Sequence, residues 1–201
     1  MHDDQTADVV KDYYGSVLSS NADLKTNACC CGETIPERHR AILATVDDEV
    51  LDRFYGCGSP IPPALDGLTV LDLGCGAGRD VFLLSGLVGE TGSVIGVDFT
   101  RAQLEVARRH REAHAAKLGH ARSNVDFRYG EMEDLAGAGI ADASVDVVVS
   151  NCAINLSSAK ERVFSEIMRV LKPGGELFFS DVFADRRLPA EMRRDPVLLG
   201  E

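Results

Sequence analysis

Three stretches of this chain carry thiols that a folded core does not obviously need: Cys29-Cys30-Cys31, Cys57 and Cys152. Thiolates are nucleophiles and ligands for soft ions. Between the second and third stretch lies Val-Leu-Asp-Leu-Gly-Cys-Gly-Ala-Gly-Arg-Asp at positions 70–80, a glycine loop straight after a short apolar run. Such glycines let backbone approach a bound molecule closely, and the N-terminus of a following helix attracts an anionic group. Soft ligands set around a small-molecule loop point to a thiophilic substrate. A zinc site is the competing reading of the thiols. It would want a Cys-x2-Cys pair matched by a second pair or by histidines, and the sequence has none at that spacing.

The cysteines differ in setting. Cys57 sits in Phe54-Tyr55-Gly56-Cys57-Gly58, and its flanking glycines predict an exposed, usable thiol. Cys75 lies inside the glycine loop and reads as a small packing residue, while Cys30 and Cys31 are unassigned. Gly74, Gly76 and Gly78 alternate, with one residue in the last gap where the dinucleotide fingerprint has two, so NAD is the weaker ligand. The tighter loop, led by Asp72, resembles the first motif of class I S-adenosylmethionine methyltransferases. Asp98 ends the next strand, where a carboxylate can accept ribose hydroxyls. Glu133 follows the third strand, and Asn151-Cys152-Ala153-Ile154-Asn155 follows the fourth, at the carboxyl end where open parallel sheets bind ligands.

The elements that must position these groups follow from periodicity. From Leu68 onward strands and helices alternate. Strands are expected at Thr69–Leu73, Ser93–Asp98, Asn124–Gly130, Val145–Ser150 and Glu176–Phe183. Helices are expected at Arg79–Val88, Thr100–Leu118 with Thr100 as N-cap, and Lys160–Leu171, the last broken by Lys172-Pro173-Gly174-Gly175. Repeated β-α-β units give an α/β fold with a mostly parallel sheet and helices on both faces. Residues 68–201 form that domain. Residues 1–67 read as a helical extension, with helices at Ala7–Leu18 and Glu37–Phe54, a cysteine-bearing link between them, and a stiff Pro60, Pro62, Pro63 connection into the sheet.

Composition narrows the function classes. The 201 residues are 45% apolar and 26% charged, ordinary for a globular chain. A net charge of -11 argues against nucleic acid and against an anionic membrane surface as partners. No run is long and apolar enough to span a bilayer, and the acidic start is no secretory signal. Six cysteines without such a signal point to free thiols in a reducing, cytoplasmic setting. His2, His39, His110, His114 and His120 are scattered and read as surface residues, so no Ser-His-Asp set is expected.

Taken together, Asp23–Cys29, Phe54–Gly58, Val70–Asp80, Val148–Asn155, Arg169–Glu176 and Phe179–Val182 resemble arsenite methyltransferases over nearly the whole chain. The resemblance implies a Rossmann-like class I methyltransferase sheet that methylates thiol-bound trivalent arsenic with S-adenosylmethionine, serving arsenic detoxification. It implies that Cys57 and Cys152 bind arsenic and that Cys29 is a third, mobile thiol. Thioredoxin or a small thiol such as glutathione would reset an enzyme disulfide, and arsenite and its methylated trivalent products would be the substrates. Tyr55, Asp72, Gly74, Gly76, Gly78, Asp98, Phe99, Thr100, Gln103, Met132, Glu133 and Asn151 stand at donor-contact positions, with Phe99 where the family often has Met. In the family a functional cysteine follows directly on a Gly-Glu pair like Gly200-Glu201, so the resemblance also implies a sheet incomplete at its C-terminus. The alternatives are a methyltransferase acting on carbon, oxygen or sulfur of a small molecule, and a non-catalytic arsenic-binding fragment.

Overall fold

The computed structural model describes residues 35–56 and 58–183. The expected helix Ala7–Leu18 and the thiols Cys29, Cys30, Cys31 and Cys57 lie outside them.

Five parallel strands form one sheet in the order β3-β2-β1-β4-β5. They are β1 (Thr69–Leu73), β2 (Ser93–Asp98), β3 (Val125–Tyr129), β4 (Val145–Asn151) and β5 (Leu171–Ser180). Alternate side chains enter opposite layers. Val70 packs with α3 (Arg79–Val88) and α4 (Arg101–Leu118), whereas its neighbours Leu71 and Leu73 pack with α5 (Lys160–Val170). All three are fully buried, each contributing roughly 1.5–3 kcal/mol relative to exposure. Burial on both faces is why β1 and β4 read as continuous apolar runs.

Three expectations are corrected. The single helix over Glu37–Phe54 is two short ones, α1 (Glu37–Leu43) and α2 (Asp48–Leu51). The break comes from Asp47, whose carboxylate accepts from the Glu49 N–H at 3.1 Å and starts a new helix. The break expected at Lys172–Gly175 lies inside β5. The strand pairs with β4 from Leu171 and ends at Ser180, and the four residues are taken up as a register shift between the Val145↔Leu171 and Val147↔Glu176 pairs. Thr100 stands at the N-cap of α4 but makes no side-chain cap bond.

The histidines are the third correction, because His39 and His114 are buried. His114 rests on the Phe82 ring, centroids 4.6 Å apart, with Nε2 3.0 Å from the Phe82 carbonyl oxygen. α4 is long enough to have a core-facing stripe, and His114 falls on it with Leu104, Ala107 and Ala115. Among the described residues no helix is long and apolar enough to cross a membrane.

Burial lowers the His114 pKa below its ordinary 6.5. Its contribution to stability is therefore complete above that value and is lost as pH falls through the depressed folded pKa, because the unfolded chain binds the extra proton. Urea unfolding followed by circular dichroism should show stability dropping below pH about 6.5, with His114→Gln losing part of that slope. The same slope in both proteins would assign the effect elsewhere.

Candidate functional site

Parallel strands deliver their following loops to one edge, and the loops after β1, β2 and β4 meet there. Gly74 and Cys75 leave β1 by donating their N–H groups to the Val97 carbonyl at 2.9 and 3.1 Å. Gly74, Gly76 and Gly78 all have left-handed backbone, at φ 73°, 52° and 92°, so the alternating glycines are a conformational requirement. At Gly74 the requirement is doubled, since a Cβ would collide with that of Ala153 after β4.

Asp98 braces this loop. One carboxylate oxygen accepts from Gly76 N–H at 2.9 Å and the other from Thr100 N–H at 2.7 Å. Burial nevertheless raises its pKa, and those two backbone bonds only partly offset this. Asp72 is pushed well above the usual carboxylate range, first by burial and then by the charges of Asp80 and Asp98. Carboxylates so arranged repel one another and favour a cationic ligand.

The loops surround a cleft that is open to solvent. Ten of the expected donor-contact residues line it: Tyr55, Asp72, Gly74, Gly76, Asp98, Phe99, Thr100, Gln103, Met132 and Asn151. Gly78 and Glu133 do not. Gly78 lets α3 approach β3, where a Cβ would lie 2.8 Å from Phe127 Cζ. Glu133 accepts a hydrogen bond from the Ser157 hydroxyl and so anchors the turn that follows Cys152.

Cys152 lines the same cleft. Its N–H donates to the Ser180 carbonyl at 2.8 Å, and its φ of 55° lies in the left-handed region. That conformation costs a non-glycine residue on the order of 1–3 kcal/mol. Cys152 is disulfide-bonded. Cys75 is the free cysteine of the described residues, and the partner of Cys152 lies outside them. Cys75 is buried against Gly96, and its thiol is pushed well above its usual range by burial and then by Asp98 and Asp72, as suits a packing residue.

The glycines flanking Cys57 have a reason other than exposure. A Cβ on Gly56 would lie 2.6 Å from Asn151 Nδ2 and would also collide with the Phe54 ring, while one on Gly58 would collide with the Ser180 hydroxyl. Close backbone approach requires them. Arg79 and Asp80, for which the sequence alone announces no role, line the cleft as a shielded ion pair at 2.6 Å. Their signal was two charged residues opening a helix that is otherwise apolar nearly all round.

Comparison with known proteins places this geometry. A family model described as a methyltransferase domain matches residues 64–200. The arsenite methyltransferase of Aquipseudomonas alcaligenes is 55% identical over 96% of this chain and 55% of its own length. The human arsenite methyltransferase is 49% identical over 96% of this chain and 52% of its own. A crystal structure of an arsenic(III) S-adenosylmethionine methyltransferase from Chlamydomonas reinhardtii superposes with a TM-score of 0.80 at 57% identity, covering 83% of this chain and 56% of the other. The chain spans about half the length of the curated relatives it matches.

Asp98→Asn would turn an amide group toward one of two backbone N–H donors and leave that N–H without an acceptor. Calorimetric titration with S-adenosylhomocysteine should show affinity reduced tenfold or more. A change below threefold would mean that the carboxylate is not needed to shape the cleft for an adenosine ligand.

Proposed function

This chain belongs to the methyltransferase-domain family, and from that footing we propose that it transfers methyl groups from S-adenosylmethionine to trivalent arsenic held on cysteine sulfur, as a detoxifying reaction in the cytoplasm. The observation that carries the reading is Cys152, a thiol position held in left-handed backbone at the carboxyl end of β4 and lining the same cleft as the glycine loop.

The residues fit the donor. Its sulfonium and ammonium charges match a cleft containing Asp72, Asp80 and Asp98, and the raised Asp72 pKa means that a nearby cation would stabilise its ionised form. Asp98 can still accept from ribose hydroxyls, since each carboxylate oxygen has lone-pair capacity beyond its one backbone bond. Tyr55, Phe99 and Met132 supply apolar wall to the cleft, which would suit a purine ring. The bound donor supplies an electrophilic methyl group.

Arsenic held by sulfur has a lone pair, so a carbon–arsenic bond can form as the methyl–sulfur bond breaks, with S-adenosylhomocysteine leaving. No proton need be removed at that step. What this chain must provide is proximity and alignment, which a strand-end residue with a fixed backbone provides. A disulfide sulfur offers no thiolate, so Cys152 must be reduced before it can bind arsenic. This supports a thioredoxin-type or glutathione reductant as a partner. In this reading Cys57 is the second arsenic ligand and Cys29 a third thiol, residues 1–67 are the thiol-supplying extension, and residues 68–201 hold the donor.

The reduced chain should bind arsenite, and Cys152→Ser should weaken binding at least tenfold. With arsenite, glutathione and methyl-labelled S-adenosylmethionine, any label transferred by the chain, or by a version extended to the length of its relatives, should appear on arsenic. Donor binding with label moved only to organic acceptors would indicate a small-molecule methyltransferase. Arsenite binding without transfer at either length would indicate sequestration.

A further inference from the structure

Arg53, Phe54, Tyr55 and Gly56 form one wall of the donor cleft, and they follow closely on α2, a helix of only four residues. A single helical turn does not hold itself, so whatever docks α2 decides where that wall stands. Val50 anchors it in the core, and its polar side chains run to α4. Arg109 Nη1 donates to the two Glu49 carboxylate oxygens at 2.9 and 3.0 Å. His110 stands between two carboxylates. Its Nε2 is 2.7 Å from Glu49 Oε2, and its Nδ1 is 3.6 Å from Asp47 Oδ2. Lys117 donates to the Thr45 carbonyl at 2.9 Å. α4 itself begins at the cleft, with Thr100 and Gln103 in its lining. His110 is two turns, about 10 Å, beyond Gln103.

Asp47, Glu49 and His110 each offer a ligand atom, all within 4.8 Å of one another, as a metal site would. Two features count against an ion. The carboxylates face different ring nitrogens, so one ion could not join all three groups, and Arg109 already covers both Glu49 oxygens. An imidazolium ring fits the arrangement instead. Glu49 is held below the usual carboxylate range, first by its hydrogen bond with His110, so it is ionised and only accepts. A ring with a proton on each nitrogen presents N–H to both carboxylates. A ring with one proton turns a lone pair toward one of them. The other charged or titratable groups nearby are engaged elsewhere or exposed: His114 turns inward to the Phe82 carbonyl, Arg111 pairs with Glu112, and Asp48 points to solvent.

We propose that His110 is a positioning residue for the donor cleft: doubly protonated, it clasps α2 to α4 and so keeps the Arg53–Gly56 wall in place. The proposal rests on the reading that this cleft takes S-adenosylmethionine. The clasp is complete while the ring is charged and loses one carboxylate as pH rises through the imidazole range, whereas the Glu49–Arg109 pair persists. Partly exposed ion pairs are individually weak, so the effect on affinity is a few-fold.

S-adenosylhomocysteine affinity is measured by calorimetry at pH 6.0 and 8.5, on either side of the ordinary imidazole range, for the unmodified chain, His110→Gln and Asp47→Asn. Gln offers the same donor group at every pH, and Asn keeps the acceptor that caps α2. Asp72 and Asp98 in the cleft have raised pKa values of their own, so the readout is the ratio of dissociation constants, variant to unmodified, at each pH. For both variants the ratio at pH 6.0 should exceed that at pH 8.5 at least threefold, and a smaller difference in either would overturn the proposal. Hydrogen exchange over Glu49–Gly56, corrected for the intrinsic pH dependence of exchange, is read without donor. Protection should fall from pH 6.0 to 8.5 in the unmodified chain and stay level in His110→Gln, and the same response in both would overturn the proposal. The expected exchange pattern with no S-adenosylhomocysteine bound at either pH would sink the donor reading and leave the clasp standing.

Discussion

The parallel pairing of β1 with β4, with Leu73 opposite Ser150, is the constraint on which the site depends. Both strands release their chains at the same edge, so the glycine loop and the Asn151-Cys152 turn emerge side by side. The Ser150 hydroxyl donates to the Leu73 carbonyl at 3.0 Å, a buried bond that ties the two strand ends directly together. A slip of one residue would turn every side chain of β4 to the other face. Val148 would leave the layer it shares with Leu71, and Cys152 would leave the cleft. The apolar layers on both faces hold the register against that slip.

At this edge the protein stores two unfavourable features together. Cys152 sits in strained backbone, and buried carboxylates face one another. Local strain and like-charge burial persist only where the surroundings enforce them. Here the enforcing structure is a sheet with buried faces and a brace through Asp98. A donor that brings a sulfonium and an ammonium group near these carboxylates would relieve part of the electrostatic cost.

Much of this was legible in the sequence, and for definite reasons. The strands β1, β2 and β4 are short β-branched or apolar runs bounded by turn residues, so their existence could be read directly. The glycine spacing and Asp98 marked the cleft because only backbone freedom and a strand-end carboxylate suit those positions. Other features depend on contacts distant in sequence. The collision that makes Gly56 and Gly58 necessary comes from Asn151 and Ser180, and nothing local announces it. His114 was misread because a lone histidine on a charged helix looks exposed until Phe82 is seen to cover it. Asp47 starts a second helix where periodicity alone would have continued the first, since capping overrides an apolar pattern at a single residue. The Lys172–Gly175 turn chemistry was real, but β4 pairs on either side of it and absorbs it into the strand.

The central claim is that a thiophilic substrate is held by Cys152 within the donor cleft. Arsenic X-ray absorption on the reduced chain, loaded with arsenite in the presence of S-adenosylhomocysteine, tests it most directly. The account predicts a coordination shell made of sulfur, with one sulfur fewer in Cys152→Ser. A shell of oxygen in the unmodified protein, or a sulfur count unchanged in Cys152→Ser, would contradict it.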